Sequence, residues 1–448
     1  MSGVGTVALR RARALGRRRR TTVGVGLAGV LLTFAVLATL QAFTIHPFHP
    51  PDEMSHVGYA LEVTRGELPT VETPIPAGEI PLLDKRVANS RPANRTVWTA
   101  NHPPLYYLAA AVPIRIGVAL DRPLGGIRAA RLLTIGISLV GLALVVLLAR
   151  ELVPARPELW VAAAGLAALL PVQVLTSAVV YNDALSFTLT AAVLLLVTRM
   201  LRWGPTPRRL VLVTVLAAAA ALTRASGLVV VAVATAAVVA AVWRHADRPG
   251  RARVLRAAGA AAAVAVTALA AAGWFYLRNR QLYGSATGTG ALLTKFSRHP
   301  HGTVPQSLLA PEFWQDQLRR LWDDSAGPSG RNGYTEWWYL TFVPLFGLVL
   351  AGVRWLRRAV PPPSGLVLCW LACLGVAGLV ELSAASFYSL GGTAHGRYLL
   401  PALSVVAVAA AAGLAGLPGR RALPFLVAMP LLVAANVHVW WRYLDVTL

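Results

Sequence analysis

The chain has 448 residues, 56% of them hydrophobic and only 14% charged, with a mean hydropathy of +0.59. Ordinary soluble chains carry roughly 25% charged residues, so a soluble enzyme, a disordered scaffold and a secreted disulfide module are all excluded. The 42 basic residues against 19 acidic ones, net +23, would suit nucleic acid, but their placement along the chain assigns them to membrane orientation instead.

In chain order, seven arginines between Arg10 and Arg20 precede a first apolar run, Val23–Phe43. That run matches the ~20 residues needed to cross hydrocarbon. It is too long for a signal-peptide core and no small-x-small cleavage site follows it, so it reads as a retained first span.

The next segment, 44–131, opens with His46-Pro-Phe-His49-Pro-Pro-Asp52-Glu53-Met-Ser-His56. Prolines before and acids in the first turn predict a helix starting at Asp52-Glu53, with no breaker from Met54 to Thr64. Asp52 and His56 are then four apart and Glu53 and His56 three apart, so one face gathers a carboxylate and an imidazole. Plain helix capping by Asp52 is the competing reading. Pro103–Leu120, an apolar run interrupted by Pro113 and Arg115, closes the segment.

Ten further spans follow at Leu132–Leu148, Leu159–Val180, Ala184–Leu201, Leu210–Leu222, Leu228–Trp243, Ala257–Leu277, Trp337–Val353, Leu366–Leu382, Leu399–Leu417 and Leu423–Trp441. Cys369 and Cys373, four apart in one run, predict a packed pair of free thiols rather than a disulfide. The segment 278–336 contains Trp314 and Trp322 and leads into Trp337 and Trp338. These rings suit an interfacial aromatic belt or a sugar-stacking platform.

With eleven spans and the N-terminus inside, the inner segments hold 23 basic and three acidic residues, the rest of the chain 19 and 16. The positive-inside rule asks for this asymmetry. Counting Pro103–Leu120 as a twelfth span would place every later arginine-rich loop outside, so it reads as a helix lying on the outer surface. The expected organisation is a basic cytoplasmic N-terminus at 1–22 and a first span at 23–43. A large outer loop at 44–131 and spans two to seven at 132–277 follow. A second large outer loop, the fourth in order, lies at 278–336, and the last four spans at 337–448. Nucleic acid is not an expected partner; the lipid bilayer of the cell membrane is.

Several short motifs occur in order: His49-Pro-Pro-Asp52-Glu53-x-x-His56-x-x-Tyr59-Ala60, Asn101-His102-Pro103-Pro104-Leu105-Tyr106-Tyr107, Ala130-Arg131-Leu132-Leu133, Asn182-Asp183-Ala184-Leu185, Leu222-Thr223-Arg224-Ala225-Ser226-Gly227, Gly273-Trp274-Phe275-Tyr276-Leu277-Arg278-Asn279 and Gly396-Arg397-Tyr398-Leu399-Leu400-Pro401. Together they resemble GT-C-type glycosyltransferases, the polyprenyl-phosphate-sugar enzymes that include protein O-mannosyltransferases and aminoarabinose transferases. The closest likeness is to a poorly characterised bacterial multi-pass branch. Arg224 stands where such proteins usually carry lysine, which keeps the charge but not the geometry.

The resemblance implies an all-α polytopic fold and an inverting transfer at the outer face, from a polyprenyl-phosphate sugar donor to a hydroxyl of a glycan, lipid or protein acceptor. It makes Asp52 the expected general base, with Glu53 as runner-up. Arg278, and behind it Arg224 and Arg397, are the expected lipid-phosphate ligands, because guanidinium forks suit phosphate. His49, His56, His102, Asp183 and Asn279 are further site candidates. A divalent cation, Mg2+ or Mn2+, held by Asp52 and Asp183 is an open possibility. A transporter or flippase of lipid-linked saccharide, which would place polar residues within the spans, and a non-catalytic membrane scaffold are the alternatives.

Overall fold

A computed structural model describes residues 3–50, 52–246, 250–323, 336–357, 363–418 and 423–445. In chain order the helices are α1 (Gly3–Thr44), α2 (Glu53–Thr64), α3 (Pro81–Ala88), α4 (Leu105–Ala119), α5 (Pro123–Leu152), α6 (Pro157–Ala168), α7 (Pro171–Ser177), α8 (Asp183–Trp203), α9 (Pro207–Ala221) and α10 (Ser226–His245). They continue with α11 (Arg251–Tyr283), α12 (Thr289–Lys295), α13 (Val304–Leu309), α14 (Pro311–Trp322), α15 (Phe342–Leu356), α16 (Ser364–Ser389), α17 (Leu403–Leu414) and α18 (Leu423–Asp445). Among the described residues the only β pairing is the isolated bridge between Pro74 and Thr96. The chain is an all-α, multi-pass membrane protein.

All eleven expected runs fall on helices. Among the described residues nine helices are long and apolar enough to cross a membrane, and α6 with α7, bent by 63°, passes the same test as a pair, either a broken span or a re-entrant loop. The bend follows from Pro171, which cannot donate to the preceding turn and forces Leu170 into an extended conformation. The eleventh run is α9, whose 15 residues rise only ~22 Å. It turns sharply into α10, and this turn requires Gly227: a Cβ there would lie 2.0 Å from the Ala220 carbonyl oxygen. Arg224 sits on that turn.

Segment 44–131 folds onto one end of the bundle around its own core of Val57, Leu61, Ile80, Leu83, Val97, Tyr106 and Tyr107. The run 103–120 forms α4, which buries Tyr106, Tyr107, Ala110 and Ile114 in this core and turns Leu108, Val112, Ile116 and Leu120 outward. Such an apolar outer stripe suits a helix bedded at a membrane surface. α4 doubles back onto α5 where Gly117 meets Gly126; a Cβ on Gly117 would lie 2.5 Å from the Gly126 Cα. Cys369 and Cys373 are buried free thiols. Trp322 donates to Thr341 Oγ1 at 2.8 Å and Trp338 is buried, so these two rings pack α14 against the turn before α15. Trp314 and Trp337 are more exposed, with indole N–H groups directed to the Leu308 carbonyl and to His438.

Candidate active site

The site begins at the N-terminus of α2. Asp52 stands in the capping position but its side chain makes no capping bond; its carboxylate pairs instead with Arg397, 345 residues away. The Asp52 backbone N–H donates to the Tyr181 hydroxyl at 3.2 Å. Asp183, in the first turn of α8, has the same fate: it pairs with Arg224 on the α9–α10 turn. The Tyr398 ring lies close to both guanidiniums, 5.5 Å from Arg224 and 5.9 Å from Arg397, and Tyr181 lies 5.2 Å from Arg397. These are cation–π distances. Two ion pairs sharing the Tyr398 face thus form the centre of the site.

Glu53 points the other way, into a fully buried pair with Arg131. Arg131 Nε donates to Oε1 at 2.7 Å and Nη2 to Oε2 at 2.6 Å, a bidentate fork. The Phe48 and Val180 backbone N–H groups donate to the same carboxylate at 2.9 and 3.1 Å. Arg131 Nη1 donates to the carbonyls of Ala42 and Ile45, each at 2.8 Å. One ion pair thereby ties the end of α1, the start of α2, α5 and the α7–α8 connection together. Both Glu53 oxygens are engaged and inaccessible, which suits a keystone better than a base. Arg131 is a structural residue that sequence reasoning gave no role. Its signal was available in retrospect: a carboxylate in an apolar helix requires a counter-charge, and Arg131 opens the next apolar run.

His56, fully within the site, is hydrogen-bonded through Nδ1 to the Tyr107 hydroxyl at 2.9 Å and packs on Tyr181 at 4.9 Å. The His102 ring lies parallel to it, centroids 6.5 Å apart and 10° between planes. Burial first, then the guanidiniums of Arg224 and Arg397, and for His56 also the neighbouring His102, lower both imidazoles well below the usual histidine value. His49 is not brought into this group. It faces Arg86 at 3.1 Å and the edge of Tyr443, and burial with Arg86 lowers its pKa.

Arg278, at the end of α11, donates Nη2 to the Leu68 and Pro69 carbonyls at 2.9 and 3.0 Å. Its Nη1 is buried without a hydrogen-bond partner, as is Arg397 Nε. The neighbouring Asn279 donates to the Asn101 and Ala286 carbonyls and so fixes the approach to His102. The electrostatic link between this corner and the centre is Tyr59. Its hydroxyl donates to the His102 carbonyl at 3.0 Å, and the charge of Arg278 acts on it.

A divalent cation between Asp52 and Asp183 does not fit these residues. Each carboxylate already faces a guanidinium. Among the described residues no three His, Cys, Asp or Glu side chains gather as a metal site requires. Positive charge at this site is built from arginine.

A family model described as "Predicted membrane protein (DUF2142)" matches residues 79–418. The chain belongs to this family. The DUF2142 protein also superposes on solved structures. With ArnT from Cupriavidus metallidurans bound to undecaprenyl phosphate the TM-score is 0.51 at 16% identity, over 91% of this chain and 63% of that one. The apo form of ArnT gives 0.50 at 15% identity, over 94% and 76%. The Archaeoglobus fulgidus oligosaccharyltransferase in complex with Zn and sulfate gives 0.48 at 15%, over 92% and 53%. The DUF2142 chain thus spans less than two thirds of the length of the lipid-bound ArnT chain. At these identities the likeness is one of fold, and the fold is the GT-C fold. No curated protein matches the chain.

Proposed function

We propose that this DUF2142 protein is an inverting glycosyltransferase that moves a sugar from a polyprenyl-phosphate carrier to an acceptor hydroxyl at the outer face of the cell membrane. The observation that carries this reading is the charge arrangement at one end of the bundle. Arg224 and Arg397 pair with the carboxylates of Asp183 and Asp52, while Arg278, at the adjoining corner, has no carboxylate partner among the described residues. One positive charge is left over, together with two unpartnered guanidinium nitrogens. A phosphodiester linking lipid to sugar carries one negative charge and accepts such donors. The GT-C fold adds support, because ArnT is known with undecaprenyl phosphate bound.

In this reading Arg278 and Arg397 hold the phosphate and stabilise the charge that grows on it as the glycosidic bond breaks. Arg224, fixed by Asp183, adds to the same field. Asp52 takes the acceptor side. Its carboxylate receives the hydrogen bond of the incoming hydroxyl and steadies the positive charge developing at the anomeric carbon, as carboxylates do in oxocarbenium-like glycosyl transfer. Glu53 and Arg131 hold Asp52 in register.

The test is a transfer assay in membranes containing the protein, with radiolabelled undecaprenyl-phosphate mannose, glucose and arabinose as donors and a cell-envelope extract as acceptor. The wild type transfers label from at least one donor. Arg278→Ala raises the donor concentration needed for half-maximal rate about tenfold or more, as expected for loss of one charge-assisted contact worth ~1.5–3 kcal/mol; unchanged donor affinity and rate would remove Arg278 from the phosphate site. Because arginine supplies the positive charge, EDTA leaves the wild-type rate unchanged, and a loss restored by Mg2+ or Mn2+ would return a metal to the site. For orientation, a cysteine at Asn94 is labelled by a membrane-impermeant maleimide in intact cells. Labelling only after permeabilisation would invert the proposed topology.

A further inference from the structure

As the acceptor oxygen bonds to the anomeric carbon, its hydroxyl proton must pass to a base. Protonating Asp52, Asp183 or Glu53 would break an ion pair with Arg397, Arg224 or Arg131 and strand a guanidinium in a largely buried setting. His56 Nδ1 is occupied by the Tyr107 hydroxyl and the residue is buried. His102 differs from all of these. The residue as a whole is only partly buried, and no described residue hydrogen-bonds either ring nitrogen. Its backbone, in contrast, is held at both ends of the residue. The N–H donates to the Thr99 carbonyl at 3.0 Å and the carbonyl accepts from the Tyr59 hydroxyl at 3.0 Å, with Pro103 and Pro104 following. The charged and titratable groups that face the ring are His56 from α2, Arg224 from the α9–α10 turn and Arg397 from the turn Gly396–Ala402. Burial and the two guanidiniums keep it a free base at neutral pH. A rigidly placed, uncommitted, neutral imidazole within the field of Arg224 and Arg397 is what the reaction lacks elsewhere.

We propose that His102 is the catalytic base of this protein, taking the proton of the acceptor hydroxyl on an unpartnered ring nitrogen; the assignment rests on the glycosyl-transfer reading above. An oxygen lone pair of the acceptor forms the new bond to the anomeric carbon. The bond from that carbon to the phosphate oxygen breaks, and its electron pair leaves on the polyprenyl phosphate, which gains one negative charge. The hydroxyl proton moves to His102. The imidazolium so formed lies beside two guanidiniums, and it returns to the neutral form by losing the proton to water. No oxidant, reductant or further reactant is needed.

The experiment compares wild type, His102→Ala and His102→Gln in the same transfer assay, with and without added imidazole. Removal of a general base lowers rates by about 10²- to 10⁴-fold. Both variants are expected to fall in that range, and imidazole restores transfer by His102→Ala in proportion to its concentration and more strongly as pH rises through imidazole's own titration. Glutamine keeps the size and hydrogen-bonding capacity of the side chain, so a merely structural role would tolerate it. Wild-type rates in His102→Gln overturn the assignment. A folded His102→Ala that loses transfer but ignores imidazole overturns it too, making His102 a positioning residue. A wild-type protein that transfers none of the sugars overturns the glycosyltransferase reading itself, whereas active wild type with active His102→Gln defeats only the base.

Discussion

Asp52→Asn lowers transfer by about 10²-fold or more while leaving expression and membrane insertion intact. Asparagine preserves the shape of the side chain but removes the negative charge that pairs with Arg397 and would steady an oxocarbenium-like centre; removing one preorganised electrostatic partner typically lowers kcat by 10²- to 10³-fold. Insertion is set by apolar length and flanking arginines, neither of which the substitution touches. The measurement is the envelope transfer assay beside a quantitative blot of the membrane fraction. Equal transfer by mutant and wild type would take Asp52 out of the mechanism and leave the ion pair a structural tie. Asp52→Asn and His102→Ala also separate their roles: imidazole is expected to rescue the histidine variant and not the aspartate variant.

The largest effect on stability is expected from the Glu53–Arg131 pair. Breaking a buried ion pair by removing one partner is destabilising by about 3–5 kcal/mol, because the remaining charge is left in a low-dielectric interior. Glu53→Gln also weakens acceptance of the Phe48 and Val180 N–H groups. Arg131→Met frees the Ala42 and Ile45 carbonyls. Each single variant is expected to lower the apparent Tm of the detergent-purified protein by several degrees, as read by intrinsic tryptophan fluorescence. The double variant Glu53→Gln/Arg131→Met is expected to be less destabilised than the sum of the two, since no charge is then stranded. Strict additivity would show that the two side chains do not act as a pair. Because this pair joins α1, α2, α5 and the α7–α8 connection, its loss also reduces transfer without touching substrate.

Much of the fold was legible in the sequence for a local reason. Whether a stretch crosses hydrocarbon depends on its own apolar length, and all eleven runs lie on helices. The bend at Leu170-Pro171 was hidden inside a run that reads continuous, because a single proline changes backbone direction without changing hydropathy. The shortness of α9 was visible in its 13-residue run, but not its reason, the tight turn at Gly227 that presents Arg224.

The site was legible as a set of residue types and only partly as roles. Asp52, Asp183, Arg224, Arg397, His56 and His102 were all singled out and stand together. His49 was singled out with them, yet its ring turns to Arg86 and Tyr443. Tyr181, whose face lies against Arg397, carried no distinguishing signal, since tyrosines near apolar runs ordinarily read as interfacial anchors, and Tyr398 stood in a motif without a role. Neighbours in sequence also proved poor guides to shared function. Asp52 and Glu53 are adjacent, but consecutive residues on a helix point about 100° apart, and one carboxylate faces the site while the other faces the core.

What the sequence determined by itself is therefore the multi-pass helical architecture and the placement of an Asp52-Glu53 helix after the first apolar run, both of which are properties of segments. Tertiary structure alone decided which arginine neutralises which carboxylate. Asp52 meets Arg397 across 345 positions, Asp183 meets Arg224 across 41 and Glu53 meets Arg131 across 78. A buried charge takes whichever opposite charge the packing brings within reach, and that choice follows from how the helices assemble, not from any pattern within one of them.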